Sequence, residues 1–194
     1  NKEGHLVQVY DANAWRLSDK ELIEALQADL WDVVATGSIT TAYGYIKETV
    51  RYAKKYAPQA IIVAGGGFLT SMPREVMNLL PQIDVGVVGE GFVTFSEILG
   101  KIDRMDFDWS TVLGVTWRNT EGSIQLSPPR GLIDMAEMDQ LPYPAWEMFP
   151  LDIYWKNSSI LYSEEAFTSK RRLDINASYG CSLTVSYTHL RAHE

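Results

Sequence analysis

Three short loops concentrate the residues able to hold a ligand: Thr36-Gly37-Ser38-Ile39-Thr40-Thr41, Gly65-Gly66-Gly67 and Gly89-Glu90-Gly91. Glycines that follow a strand let backbone amides approach a bound group closely, and the helix N-terminus that comes next favours anionic groups such as phosphate. Binding is the chemistry these residues suggest, and none is singled out as catalytic. Neither glycine loop matches the dinucleotide fingerprint G-x-G-x-x-G, and no phosphate-loop motif G-x-x-x-x-G-K-[ST] occurs. The same glycines would also serve tight strand-to-helix turns with no ligand at all. Glu90 divides in the same way, between accepting a hydrogen bond from a ligand and capping the following helix. The other residue with metal chemistry is Cys181, the one cysteine of the chain. A single thiol excludes an internal disulfide framework.

The loops are placed by an alternation of apolar β-branched runs with helical stretches, the pattern of an open α/β sheet with parallel strands. Strands are expected at 5–10, 32–36, 60–64 and 84–88. The helix over about 19–30 opens with a capping box of Ser18 and Glu21 and carries a buried stripe of Leu22, Leu26 and Leu30. In the next helix Ile46, Val50 and Ala53 share a face, and Pro58 marks its end. A third helix starts at Pro73 and reaches Leu80, and a fourth covers about 93–102. Ligands of open parallel sheets bind outside the carboxyl ends of the strands, so the three loops are expected to form one rim.

After Asp103 the alternation stops. Residues 114–118 and 123–126, joined across Asn119-Thr120-Glu121-Gly122, read as a β-hairpin appended to the sheet. Pro142, Pro144 and Pro150 then break regular structure, while Trp146 and Phe149 mark the segment as an ordered, packed linker. Residues 172–177 look like a new strand that ends in Ser178-Tyr179-Gly180-Cys181.

A net charge of −8 argues against nucleic-acid binding, which requires clustered Lys and Arg to neutralise phosphates. No window approaches the roughly 18 apolar residues that span a bilayer, and no secretion signal opens the sequence. A cytoplasmic protein is expected. The chain begins at Asn1 rather than Met, so its N-terminus is expected to be missing.

The order of motifs resembles the cobalamin-binding domain found upstream of radical S-adenosylmethionine domains. The resemblance covers 4–102. It rests on Gly4-His5, Tyr10-Asp11-Ala12, Asp32-Val33-Val34 with the hydroxyl loop 36–41, Val63-Ala64-Gly65-Gly66-Gly67, and residues 84–91 before Thr94-Phe95. It implies a flavodoxin-like (Rossmann-like) fold in which the nucleotide tail of the corrinoid inserts beside the sheet. Thr36, Gly37, Ser38, Thr40 and Thr41, with Gly65, Gly66 and Gly67, would line that tail. Gly89, Glu90 and Gly91 would sit against its base or ribose. Cobalamin carriers of the methionine-synthase type bind cobalt through Asp-x-His-x-x-Gly, and no such sequence occurs here. His5 opens its segment at the wrong end of the sheet and is read as structural.

Family members also carry a strand and helix before Gly4, and in the strand order 2-1-3-4-5 that first strand is central. Its absence is expected to leave a slot between 7–10 and 33–36, with poor autonomous stability or a rearranged sheet. Downstream, residues 172–184 look like the first strand of a radical S-adenosylmethionine barrel, with Cys181 as first ligand of a Cys-x-x-x-Cys-x-x-Cys motif. That motif holds a four-iron four-sulfur (4Fe-4S) cluster whose open iron binds S-adenosylmethionine. The second and third positions hold Val185 and Thr188.

The expected division is therefore a cobalamin domain at 1–103, a hairpin and proline-rich linker at 104–170, the start of a radical domain at 171–184, and a non-native tail at 185–194. His189 and His193 lie in that tail at helical spacing and are read as accidental. The parent enzyme would act on a small-molecule substrate by methyl transfer or related radical chemistry, and the fragment would be inactive. The alternative is a non-catalytic flavodoxin-like module that binds another nucleotide-bearing ligand, such as a flavin, at the same rim.

Overall fold

A computed structural model of the chain describes residues 4–157. It resolves into two compact units, Trp15–Pro144 and a second unit built from Asn1–Ala14 with Ala145–Glu194. Among the described residues no helix is long and apolar enough to cross a membrane.

The larger unit is organised by five strands in the order β1 (Val33–Gly37), β2 (Ile61–Gly65), β3 (Val85–Val87), β4 (Val115–Arg118) and β5 (Ile124–Leu126). The first three are parallel, with Val33 opposite Ile61 and Gly37 opposite Gly65. β4 and β5 add antiparallel strands to the β3 edge, Val87 facing Val115. The hairpin is thus part of the sheet rather than an appendage beside it. An isolated two-stranded hairpin is marginal in water. Pairing with β3 buries Val115 and Thr116 completely or nearly so.

Alternation along β2 sorts the core into two layers. Ile62 and Ala64 face a cluster with Ile46, Val50 and Ala53 of α2 (Tyr43–Tyr56), Leu69 of α3 (Gly67–Ser71), and Val76 and Met77 of α4 (Pro73–Leu79), beside α1 (Asp19–Gln27). Val63 faces the other cluster with Val85, Val87, Trp109 and Ile98, the last from α5 (Phe92–Asp103). Gly86 turns toward the first layer, where an added Cβ would lie 2.7 Å from both Leu69 and Thr116 side chains. Its lack of a side chain lets α3 settle directly on the sheet.

Two expectations need correction. Residues 5–10 form no strand: a strand needs a ladder partner, and among the described residues they pair with none. Leu6 is fully exposed and Val7 more than half so. The sheet accordingly starts at β1, whose Val33, Val34 and Thr36 are only half-buried.

The first helix also stops a turn early, at Gln27. The capping box forms as expected, Ser18 N–H donating to Glu21 at 2.8 Å. At the other end, the Trp31 indole donates to the Ala25 carbonyl at 3.1 Å and consumes an acceptor of the last turn. Leu30 is left 82% exposed, outside the stripe to which its spacing assigned it.

In the second unit, the proline-rich segment contains a 3-10 turn at Trp146–Met148 and a short helix, α6 (Leu151–Asn157). Trp146 and Phe149 pack with ring centroids 6.5 Å apart. Asp11 is held from two sides: its carboxylate accepts from the Ala14 amide at 2.8 Å and from the Tyr154 hydroxyl. Burial, then this hydrogen bond, favour the neutral phenol, so the Tyr154 pKa is pushed up to about 12.

A phenol whose folded pKa exceeds its unfolded value of about 10 contributes stability that is complete below pH 10 and lost as pH rises toward 12. An alkaline absorbance titration should show Tyr154 ionising about two pH units above an exposed tyrosine, and Tyr154→Phe should remove one tyrosine from the late part of the curve.

Candidate functional site

The three loops singled out by composition meet at the carboxyl ends of β1, β2 and β3. Their approach is set by the β1–β2 register. Because Gly37 lies opposite Gly65, a Cβ at Gly37 would fall 2.6 Å from the Gly65 carbonyl oxygen, closer than real contacts allow. One residue further on, Gly66 has φ +87° and ψ 178°, a conformation reserved for glycine, and a Cβ there would lie 2.6 Å from the Ser38 carbonyl oxygen. That carbonyl accepts from the Phe68 amide at 3.1 Å. The hydroxyl loop and the glycine loop are therefore locked together by backbone contact.

The third loop joins through α3. Thr70 Oγ1 accepts from the Gly89 amide at 3.0 Å, and the Val88 amide donates to the Gly114 carbonyl at 2.8 Å. Gly89 has φ +83° and open space where a side chain would be. The assembled rim faces solvent: Gly37, Thr40, Thr41, Gly66, Gly67 and Gly89 are exposed, and Thr36, Ser38, Gly65, Glu90 and Gly91 are half-buried. Among the described residues the hydroxyls of Ser38, Thr40 and Thr41 have no hydrogen-bond partner. Exposed hydroxyls beside side-chain-free backbone suit a polar, phosphate-bearing tail laid across the strand ends. The rim contains one carboxylate and no imidazole.

Of its two expected roles, Glu90 does not take that of helix cap. The cap position of α5 is Gly91, with no side-chain cap, while the Glu90 carboxylate accepts from the Ile133 amide at 3.1 Å. Sequence reasoning missed Ile133, Arg130 and Thr70. All three are distant from the glycine loops they support, or act through atoms that carry no motif. Cys181, with its neighbours at 172–184 and both tail histidines, lies outside the described residues. No group of three or more potential metal ligands occurs among the described ones.

The family model for the B12 binding domain matches residues 1–99. The chain belongs to the B12-binding domain family. It is 28% identical over 153 residues to an uncharacterized methyltransferase of Pyrococcus horikoshii, covering 79% of the chain and 32% of that protein. It is 24% identical to the cytidylyl-2-hydroxyethylphosphonate methyltransferase of Streptomyces wedmorensis, covering 86% of the chain and 34% of that enzyme. It is 26% identical to the anaerobic magnesium-protoporphyrin IX monomethyl ester cyclase of a Synechocystis strain, covering 95% and 34%. The chain thus spans about a third of the length of these relatives.

Two solved structures share the fold. The radical S-adenosylmethionine methyltransferase TsrM from Kitasatospora setae, with cobalamin and a 4Fe-4S cluster bound, superposes with a TM-score of 0.59 at 22% identity, over 69% of this chain and 25% of that one. The cobalamin-dependent S-adenosylmethionine radical enzyme OxsB, with aqua-cobalamin and S-adenosylmethionine bound, gives 0.52 at 13% identity, over 59% and 16%.

This B12-binding domain should tolerate no side chain at Gly66. Gly66→Ala combines a glycine-only conformation with a backbone clash, and should lower stability by about 1–3 kcal/mol in urea unfolding, whereas Gly44→Ala, in open space within α2, should leave stability unchanged or raise it by up to about 1 kcal/mol.

Proposed function

We propose that residues 1–103 bind cobalamin across the rim, with Thr36, Gly37, Ser38, Thr40, Thr41 and Gly65–Gly67 along its nucleotide tail and Gly89–Gly91 beside the base or ribose. The observation that carries this reading is the contact of the Ser38 loop with Gly66. It creates a continuous surface of amides and unengaged hydroxyls, on a chain of the B12-binding family. In this arrangement Ser38, Thr40 and Thr41 donate or accept at the tail, and the glycines keep the backbone close enough to contribute amides. Bound there, cobalamin supplies a methyl group or an electron to the reaction of a larger enzyme.

That larger enzyme is a cobalamin-dependent radical S-adenosylmethionine enzyme, a methyltransferase or a catalyst of related radical chemistry on a small-molecule substrate. The relatives named above support the class, and Cys181 is the proposed first cluster ligand. With Val185 and Thr188 at the other two positions, this sequence offers one thiolate where the cluster needs three. The 194-residue chain is therefore a binding module without radical activity. Anaerobic reconstitution with iron and sulfide should leave no four-iron cluster absorbance; an intact cluster would overturn this assignment.

Titration with hydroxocobalamin and, separately, with flavin mononucleotide decides the ligand. Saturable spectral perturbation of hydroxocobalamin is expected, weakened at least tenfold by Gly67→Val, whose side chain would project beside Ile39 into the rim. Saturable flavin binding with no response to cobalamin would assign the rim to a flavin module instead.

A further inference from the structure

Beyond β5 the chain remains attached to the unit through a series of contacts. Ser127 N–H donates to the Val115 carbonyl and the Gly114 amide to the Pro128 carbonyl, both at 2.9 Å, which continues the β4–β5 pairing. Gly114 is also the residue whose carbonyl accepts from Val88, at the carboxyl end of β3. From there the segment passes to the first turns of α5. Arg130 Nε donates to Thr94 Oγ1 at 2.8 Å, and its guanidinium pairs with Glu97. Thr94 is completely buried, and its hydroxyl donates in turn to the Leu113 carbonyl at 3.1 Å. Immediately after Leu132, the series closes where the Ile133 amide donates to Glu90.

We infer that residues 127–133 form a fixed wall of the cofactor rim, with Arg130 and Glu90 as its positioning residues. Glu90 acts there by holding Ile133. The inference deepens the cobalamin reading and rests on it for what the rim contains. Three observations carry it. The carboxylate of Glu90 is half-buried and already engaged by a backbone donor on the strap. Arg130 is tied at two points to α5, the helix that starts directly after the Gly89–Gly91 loop, so strap and loop share one support.

The third is the size of the hollow between them. It is lined by Glu90, Phe92, Val93, Arg130, Leu132 and Ile133 among others and measures about 110 Å³. Small-molecule pockets begin near about 300 Å³, so this seam has room for a few waters and not for a ring system. A ligand at the rim must therefore lie against the strap, not beneath it. Leu132 and Phe92, 74% and 50% exposed, are apolar surface that such a ligand can cover.

The test uses the full 194-residue chain and two readouts. In the cobalamin-free protein, amide hydrogen exchange at Ile133 should accelerate about tenfold in Glu90→Ala and in Arg130→Gln, and stay near the original rate in Glu90→Gln, which keeps an acceptor oxygen. In hydroxocobalamin titrations, Ile133→Pro removes the donor while leaving Glu90 intact. It should weaken binding as much as Glu90→Ala does, and the double variant should bind no worse than either single one. Unchanged exchange at Ile133 in Glu90→Ala would overturn the proposal, as would lost affinity in Glu90→Ala with full affinity in Ile133→Pro. Failure of the original chain to bind hydroxocobalamin would remove the cofactor reading, while the exchange measurement would still decide whether Glu90 and Arg130 hold the strap.

Discussion

The rim depends on one close contact, the passage of the glycine loop over the hydroxyl loop at the ends of two parallel strands. Pairing Gly37 with Gly65 brings the two backbones together where any side chain would collide with a carbonyl, and Gly66 extends that contact to Ser38. Neither loop could hold this shape alone. An exposed run of glycines loses much conformational freedom on ordering, and what offsets that loss is the sheet ladder beneath and the Phe68–Ser38 hydrogen bond above. The glycines are thus required by internal packing, and Gly37, Gly66 and Gly67 stay exposed within it.

The rest of the larger unit supports this contact from two sides. On one face, the absence of a side chain at Gly86 lets α3 lie on the sheet, which places Thr70 where it accepts from Gly89 and joins the third loop to the other two. On the other face, α5 presents Thr94 and Glu97 to Arg130, so the segment after the hairpin is fastened to the helix that begins at the rim. The hairpin matters for the same reason. By pairing with β3 it brings Gly114 and Pro128 to the carboxyl end of the sheet, where the strap starts.

The domain belongs to the B12-binding family. Its rim has hydroxyls, amides and one carboxylate that is already engaged, and among the described residues no cluster of metal ligands. The chain corresponds to about a third of the length of the methyltransferases and the cyclase it resembles.

Much was legible in the sequence by itself. The β-branched runs at 32–36, 60–64 and 84–88 became β1 to β3, and Ile46, Val50 and Ala53 are buried as their spacing requires. The Ser18–Glu21 box also forms. These features are local: periodicity and capping are read within a few residues, and burial of one face follows from them. The order of motifs likewise carried the family. Tertiary structure decided the rest, because it turns on partners distant in the chain. Residues 5–10 have the composition of a strand but, among the described residues, no ladder partner, and composition cannot supply one. Leu30 has the spacing of a core residue, yet its helix ends at Gln27, where the Ala28 amide and the Trp31 indole both donate to the Ala25 carbonyl. Glu90 sits in a loop that looks made for a ligand, and its bond runs to an amide 43 positions away. Backbone donors carry no signature in a sequence, so only the folded chain shows which carboxylate they occupy.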